Sequence, residues 1–325
     1  MPYWELVTRS FRIAWNHKYL WLIALFAGEG GGASFNFNFS QGTQRRGTTT
    51  APPDYSAVQE QVTTWISDHI GLIIAVAVVW LLLIVAFFIL GAVCEGATVR
   101  ASAEHDAERP FHLVWAWRSG VSTMWTMIRF RLLIVALGLP VLVTAVALAA
   151  GIILSIASGN GAATAILILF GLLLALAAIV YLVYLGFLDR FGARALVLEQ
   201  LMARPALVRG HGLLRKRLGR SLLVWLLSIA VGFVVAIVTA CFLAIVGAPL
   251  VVIAIAMASA GSTPIQMLPL ILVAVIVLAG FSLVVGGFLA AQASTYWTLA
   301  FRRLDLEYAP AYPQPAPQPP PAPAQ

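Results

Sequence analysis

DRFGARALVLEQLMARPALVRGHGLLRKRLGR, residues 189–220, holds eight of the chain's twenty Lys and Arg residues. It lies between two blocks that carry no charge at all, Leu132–Leu188 and Ser221–Phe301. A helix needs about 20 apolar residues to cross a hydrocarbon core about 30 Å thick, so blocks of this kind belong in a bilayer. The basic stretch is then a hinge between two membrane hairpins, and the chain reads as an all-α, polytopic membrane helix bundle. The totals agree. Of 325 residues, 61% are hydrophobic and 10% charged, against roughly 25% charged in soluble domains. The formal charge of +7 does not point to nucleic acid, because the basic residues gather beside apolar runs, where positive charge orients membrane spans. Cys94 and Cys241 both fall in apolar runs and read as neither a disulfide, a metal-ligand set nor a nucleophile.

Working outward from the hinge, about six transmembrane helices are expected, with amphipathic interfacial helices between them. Residues 3–18 form an amphipathic helix on which Trp4, Val7, Phe11 and Trp15 share a stripe opposite Glu5, Arg9, Arg12 and Asn16; Leu6 and Ile13 spoil the pattern. Tyr19–Ala27 follows, short for a span, and reads as a signal peptide, a re-entrant piece or a true first span. Charge favours crossing: eighteen of the twenty Lys and Arg then share one side, leaving only Arg45 and Arg46 on the other. That places both termini and the segments 100–129 and 189–220 in the cytoplasm and the loop 28–67 outside. A cleaved signal peptide would give the same later topology, but no clean small-residue cleavage site follows the run.

Ile70–Gly91 is the second span. The third lies in Leu132–Ser158, kinked near Pro140, and the fourth is Ala162–Leu188, after a tight turn at Ser158-Gly-Asn-Gly161. Ser221–Ala260 is too long for one span and too short for two. A break at Gly247-Ala-Pro249, followed by a partly inserted piece at Val251–Ala258, would resolve the mismatch. The sixth span runs from 264 to about 300, and its rows Gly286/Ala290/Ser294 and Gly287/Ala291 offer a face for close helix packing. Residues 1–307 thus form one membrane domain. The tail 308–325 is rich in proline and is expected to be a disordered polyproline segment in the cytoplasm. Three units of the same order, interfacial helix, span, loop and span, begin at Leu6-Val7, Leu113-Val114 and Leu207-Val208.

Several short patterns carry little. Gly28-Glu-Gly-Gly-Gly-Ala33 matches a nucleotide fingerprint but follows no strand. Phe35-Asn-Phe-Asn-Phe39 alternates like a short strand, and Asn38-Phe-Ser40 is a formal glycosylation site. His105, Glu108 and His112 would share a helix face fit for a metal, but Pro110 breaks that helix, so the cluster reads as a charged turn. No catalytic elbow, metalloprotease helix or phosphate loop is present, so no catalytic residue, cofactor or metal site is expected.

The remaining candidates are ionisable groups at span ends. Glu95, Asp189 and Glu199 lie there, and a charge at membrane depth is a functional candidate by default. The plainer reading pairs them with Arg100, Arg190 and Arg194. Arg209, Arg215, Lys216, Arg217 and Arg220 form a basic surface suited to anionic headgroups or a membrane partner. Leu207, Leu214 and Leu218 would make the apolar face of that helix, opposite Arg209, Lys216 and Arg220.

Ser10-Phe-Arg-Ile-Ala-Trp15 leading into Leu20-Trp-Leu, Glu95-Gly96 after the second span, and Ala193-Arg-Ala-Leu-Val-Leu-Glu199 before an Arg-rich stretch together resemble uncharacterised bacterial multi-pass membrane proteins. Those proteins are similar to the membrane domain of glycerophosphodiester phosphodiesterases. The resemblance implies a six-helix protein of a bacterial cytoplasmic membrane. The catalytic barrel of that family has no counterpart here, so its activity is not carried over. Mitochondrial-type carriers do not fit, since Pro140 and Pro249 lack the acidic and basic residues of that signature. The expected function is a non-enzymatic membrane module that binds lipid or a membrane partner, which could be a second copy, through its basic face. A small-molecule or lipid transporter is the alternative, and a membrane enzyme the third reading.

Overall fold

The computed structural model describes residues 3–27, 63–259 and 264–306, and every regular element among them is helical. The expected loop strand, the glycosylation site, the fingerprint at 28–33 and the proline-rich tail lie outside the described residues. Eight helices follow in order: α1 (Trp4–Asn16), α2 (Tyr19–Ala27), α3 (Ile70–Asp106), α4 (Leu113–Ala157), α5 (Gly161–Leu198), α6 (Ala203–Lys216), α7 (Leu218–Ser259) and α8 (Pro264–Leu306). A further helical turn covers 63–68.

Five of these helices, α3, α4, α5, α7 and α8, are long and apolar enough to cross a membrane. Their most apolar windows face outward: none of the residues is buried in four of them, and 11% are in α8. Apolar surface of this extent is stable only against lipid, so this is a multi-pass membrane protein. The buried core lies at the other end of the bundle. It takes in α1, α2, residues 91–103 of α3, the start of α4, residues 185–197 of α5, α6 and residues 290–304 of α8. Every described Lys and Arg falls at this charged end.

Glycines set how closely the helices cross there. A Cβ on Gly120 of α4 would overlap the Val93 carbonyl of α3, and one on Gly96 would lie 2.6 Å from the Thr123 hydroxyl. A Cβ on Gly192 of α5 would lie 2.5 Å from the Phe130 ring, and one on Gly210 of α6 would lie 3.1 Å from the Gly192 backbone nitrogen. The expected small-residue row on α8 does pack: a Cβ on Gly287 would lie 2.7 Å from the Trp21 carbonyl oxygen of α2, and Ala290, Ala291 and Ser294 are buried. Three span ends cross helices of the charged end: α3 on α4, α5 on α6, and α8 on α1. In the third, Gln292 Nε2 donates to Ser10 Oγ (3.1 Å) and Phe11 packs on Phe288.

Four expectations need correction. First, α1 buries Leu6, Val7, Ser10, Ile13 and Ala14, while Trp4 and Trp15 are exposed. The supposed pattern-breakers are core residues, and the tryptophan edge faces outward. Second, α2 is described over the nine residues Tyr19–Ala27 and is not one of the five described helices long and apolar enough to cross. It runs beside the inner part of α3, from Tyr19, whose hydroxyl meets His105 Nε2 (2.5 Å), to Ala27, level with Glu95. Third, α7 runs unbroken through Gly247-Ala-Pro249 to Ser259. A proline without water nearby leaves the backbone no better option than helix. Helix α4 likewise continues past Pro140, where Thr144 Oγ1 donates to its carbonyl (2.9 Å). Fourth, α6 buries Ala206, Gly210, Leu213 and Leu214, whereas Leu218 is exposed at the start of α7. The turn between α4 and α5 is as expected: Gly159 takes a left-handed φ of 68°, and the Asn160 side chain accepts from Ala163 N–H (3.1 Å).

Candidate functional site

The sequence-derived acids are bound into clasps that close the charged end. Glu95, almost fully buried, accepts from both Nε (2.9 Å) and Nη2 of Arg131, and the same Nη2 donates to the Ala27 carbonyl (3.0 Å). Arg131 thereby satisfies a terminal carbonyl of α2 and neutralises a carboxylate that could not stay charged alone. The partner is Arg131 of α4 and not Arg100, which pairs with Glu104 (2.8 Å). A second clasp places Asp106 between Arg9 (2.8 Å) and Arg302 (2.5 Å), tying α3 to α1 and α8. In a third, Arg209 Nε donates to Glu199 (3.2 Å) and its Nη2 to Asp305 (2.6 Å).

Two site expectations change accordingly. Glu199 is held by Arg209 rather than Arg194, whose fully buried guanidinium donates to the Arg190 carbonyl (2.7 Å). Arg209 is a clasp and drops out of the basic surface. Arg215 and Lys216 are exposed on the last turn of α6, Arg217 is half-buried, and Arg220 is exposed near the start of α7. Asp189 is half-buried on α5 and interacts within the protein. The His105, Glu108 and His112 cluster lies in a turn between α3 and α4: the His105 ring stacks on His17 at 3.6 Å, Glu108 has φ 57°, and His112 is the N-cap residue of α4. Among the described residues no cluster of three or more metal-ligating side chains occurs.

Sequence reasoning missed an amphipathic groove of about 580 Å³ between α7 and α8. On α7, Ser228, Gly232, Ala236 and Ala240 recur every fourth position and make one small-residue stripe. Such a stripe normally lets two membrane helices close up. Here two contacts hold the helices apart at either end. Tyr296 donates to the Val224 carbonyl (2.8 Å) at the charged end, and Phe242 stacks on Phe281 with centroids 4.6 Å apart at the apolar end. Between Val224 and Phe242 the helix rises about 27 Å, and the missing side-chain volume becomes the groove.

Its polarity is graded. At the charged end lie Gln292, Tyr296, Ser228 and the Arg190 guanidinium, which sits 4.4 Å from the Trp297 ring centre. Val231 and Leu289 lie next to them, and toward the other end Val235, Leu243 and a single hydroxyl, that of Thr239, line the walls. A cation and hydrogen-bonding groups at one end of an apolar slot match an amphiphile with a polar or anionic head. The signal in the sequence was the stripe on α7, but its meaning depends on contacts at Tyr296 and Phe242 that only the packing shows.

A family model matches residues 7–305, nearly the whole described bundle from α1 to the end of α8. The chain belongs to the family of unknown function DUF7544. No curated protein and no solved structure matches it. For a DUF7544 protein, function has to be argued from the site itself. The match carries no link to the membrane domains of glycerophosphodiester phosphodiesterases.

Proposed function

We propose that this DUF7544 protein is a non-enzymatic lipid-binding protein of a bacterial cytoplasmic membrane, with its charged end on the cytoplasmic side. It holds one phospholipid of the inner leaflet between α7 and α8. The observation that carries this reading is the graded groove. The contacts that bound it lie about 27 Å apart along α7, more than one leaflet of hydrocarbon, about 15 Å, leaving room for a headgroup beside Arg190, Gln292 and Tyr296. Anionic headgroups are favoured because a guanidinium forms charge-assisted hydrogen bonds to phosphate oxygens. The exposed basic residues Arg215, Lys216 and Arg220, with Arg217 beside them, add sequence-independent attraction, roughly 1 kcal/mol per charge near an anionic surface.

Transport is the weaker reading. One of its motives was a broken helix within 221–260, and α7 is continuous there.

Native mass spectrometry of protein released gently from its own membrane tests the proposal. Wild type retains one phospholipid per chain. Ala236→Leu and Gly232→Leu fill the groove, where Gly232 has open space around it, and lose that lipid while unfolding at an unchanged denaturant level. Neutralising Arg215, Lys216 and Arg217 keeps the lipid and reduces only association with anionic vesicles. A correctly folded Ala236→Leu variant that retains the lipid at wild-type stoichiometry would falsify the groove as the binding site.

A further inference from the structure

The geometry points to a second site, a phosphoryl-binding pocket at the charged rim that shares no lining residue with the groove. A concavity of about 730 Å³ opens between the end of α3, the first turns of α4 and the end of α5. Two guanidinium groups line it, Arg100 and Arg118, and no carboxylate does. Arg100 shares Glu104 with Arg109 (2.8 and 3.4 Å), so one acid faces two bases there. Arg118 is exposed and has no ion-pair partner among the described residues. The rim is therefore locally cationic in excess of what its own acids neutralise.

The wall between the arginines supplies directed donors. Ser119, Ser122, Thr123 and Thr126 stand at i, i+3, i+4 and i+7 on α4, one face over two turns, and all four line the pocket. Ser122 and Thr123 give their protons to the Ser119 carbonyl (2.8 and 3.1 Å). The hydroxyls of Ser119 and Thr126 make no hydrogen bond among the described residues and are available as donors. Gln200, in a left-handed turn with φ 54°, brings a further amide to the opposite wall.

Two cations and two or three neutral donors spread over a curved wall suit a group with three acceptor oxygens arranged tetrahedrally. That group is a phosphoryl rather than a planar carboxylate. The pocket lies within the usual range for small-ligand sites, about 300–1,000 Å³, and is far larger than phosphate alone needs. Trp115 forms part of its wall and is exposed, which provides an apolar surface for a ring or sugar joined to the phosphate. The shared chemistry is a phosphate monoester. Its source is either a soluble phosphorylated molecule of the cytoplasm or the headgroup of a lipid such as phosphatidic acid.

The test uses the full chain in phosphatidylcholine nanodiscs, titrated calorimetrically with phenyl phosphate and with inorganic phosphate. Phosphatidic acid retention is measured in parallel by native mass spectrometry. Arg118→Gln is expected to weaken binding about tenfold, the loss of one charge-assisted hydrogen bond. Trp115→Ala weakens phenyl phosphate but leaves inorganic phosphate unchanged, and Arg204→Gln, outside the pocket, changes neither. Thr126→Val, which keeps the side-chain volume, gives a second reading if Arg118→Gln folds poorly. Phenyl phosphate binding that persists in discs containing phosphatidic acid identifies a soluble ligand, whereas suppression by that lipid identifies the headgroup. The proposal is overturned if neither phenyl phosphate nor phosphatidic acid binds, or if binding is indifferent to both Arg118→Gln and Thr126→Val. Because Arg118 does not line the α7–α8 groove, retention of the groove lipid in Arg118→Gln separates failure here from failure of the lipid-binding reading.

Discussion

Replacing Gly120 by alanine adds one methyl group at the point where α4 crosses α3. That methyl would overlap the carbonyl oxygen of Val93 and lie 3.1 Å from the Ala97 side chain. The overlapping atom is backbone, so no rotamer change relieves it and the two helices must separate by about 1 Å. Overpacking of this kind costs about 1–3 kcal/mol, and the shift also strains the Glu95–Arg131 clasp, which joins the same two helices. Alanine's better helix propensity returns at most about 1 kcal/mol. Gly186→Ala on α5 is the matched control: nothing lies within 4 Å of its Cβ position, so only the propensity gain remains. The propensity gain is common to both, so the two variants differ by the overpacking cost of about 1–3 kcal/mol, with only Gly120→Ala destabilised. Unfolding by SDS titration in mixed micelles, followed by far-ultraviolet circular dichroism, measures this difference. If Gly120→Ala unfolds at or above the wild-type midpoint, the close crossing of α3 and α4 described here is wrong.

Two further outcomes follow from the clasps. Glu95→Ala leaves Arg131 without its carboxylate in a largely buried place and should cost about 3 kcal/mol; Glu95→Ala with Arg131→Met should cost clearly less than the two single changes added together. A double-mutant cycle with no coupling would show that the pair does not form. Arg209→Met removes a partly exposed link between α6, the end of α5 and α8, worth about 1 kcal/mol. It should speed hydrogen exchange in residues 199–216 while exchange around Glu95 stays as in wild type, and uniform acceleration across the bundle would contradict a local clasp.

What the sequence reveals here is mostly what hydropathy and charge decide. The charge-free blocks make Leu132–Leu188 a helical hairpin, Ser158–Gly161 its turn, and Gly287/Ala291 a packing row, and each of these is found. The identity of ion-pair partners is not written in that code. Glu95 has Arg100 near it in sequence, but on one helix those residues point to different faces, and Arg131 on the antiparallel neighbour reaches it instead. On α1 the apolar stripe is split: Val7 is buried with Leu6 and Ile13, while Trp4 and Trp15 sit on the outer edge, where a bulky amphipathic ring is favoured at an interface. Pro249 looked like a break because proline costs a hydrogen bond in water, a penalty without an alternative inside a bilayer. The groove escaped because Arg190, Ser228 and Gln292 come from three helices, and a small-residue stripe means close packing or an open slot according to what props the helices apart.

Electron cryomicroscopy of the full chain in nanodiscs made from its native membrane lipids would examine the groove directly. Continuous acyl-chain density between α7 and α8, from the Phe242–Phe281 stack to a headgroup within hydrogen-bonding distance of Arg190 or Gln292, is the expected result. A groove closed by direct contact of Gly232 and Ala236 with α8, with no lipid between them, would contradict it.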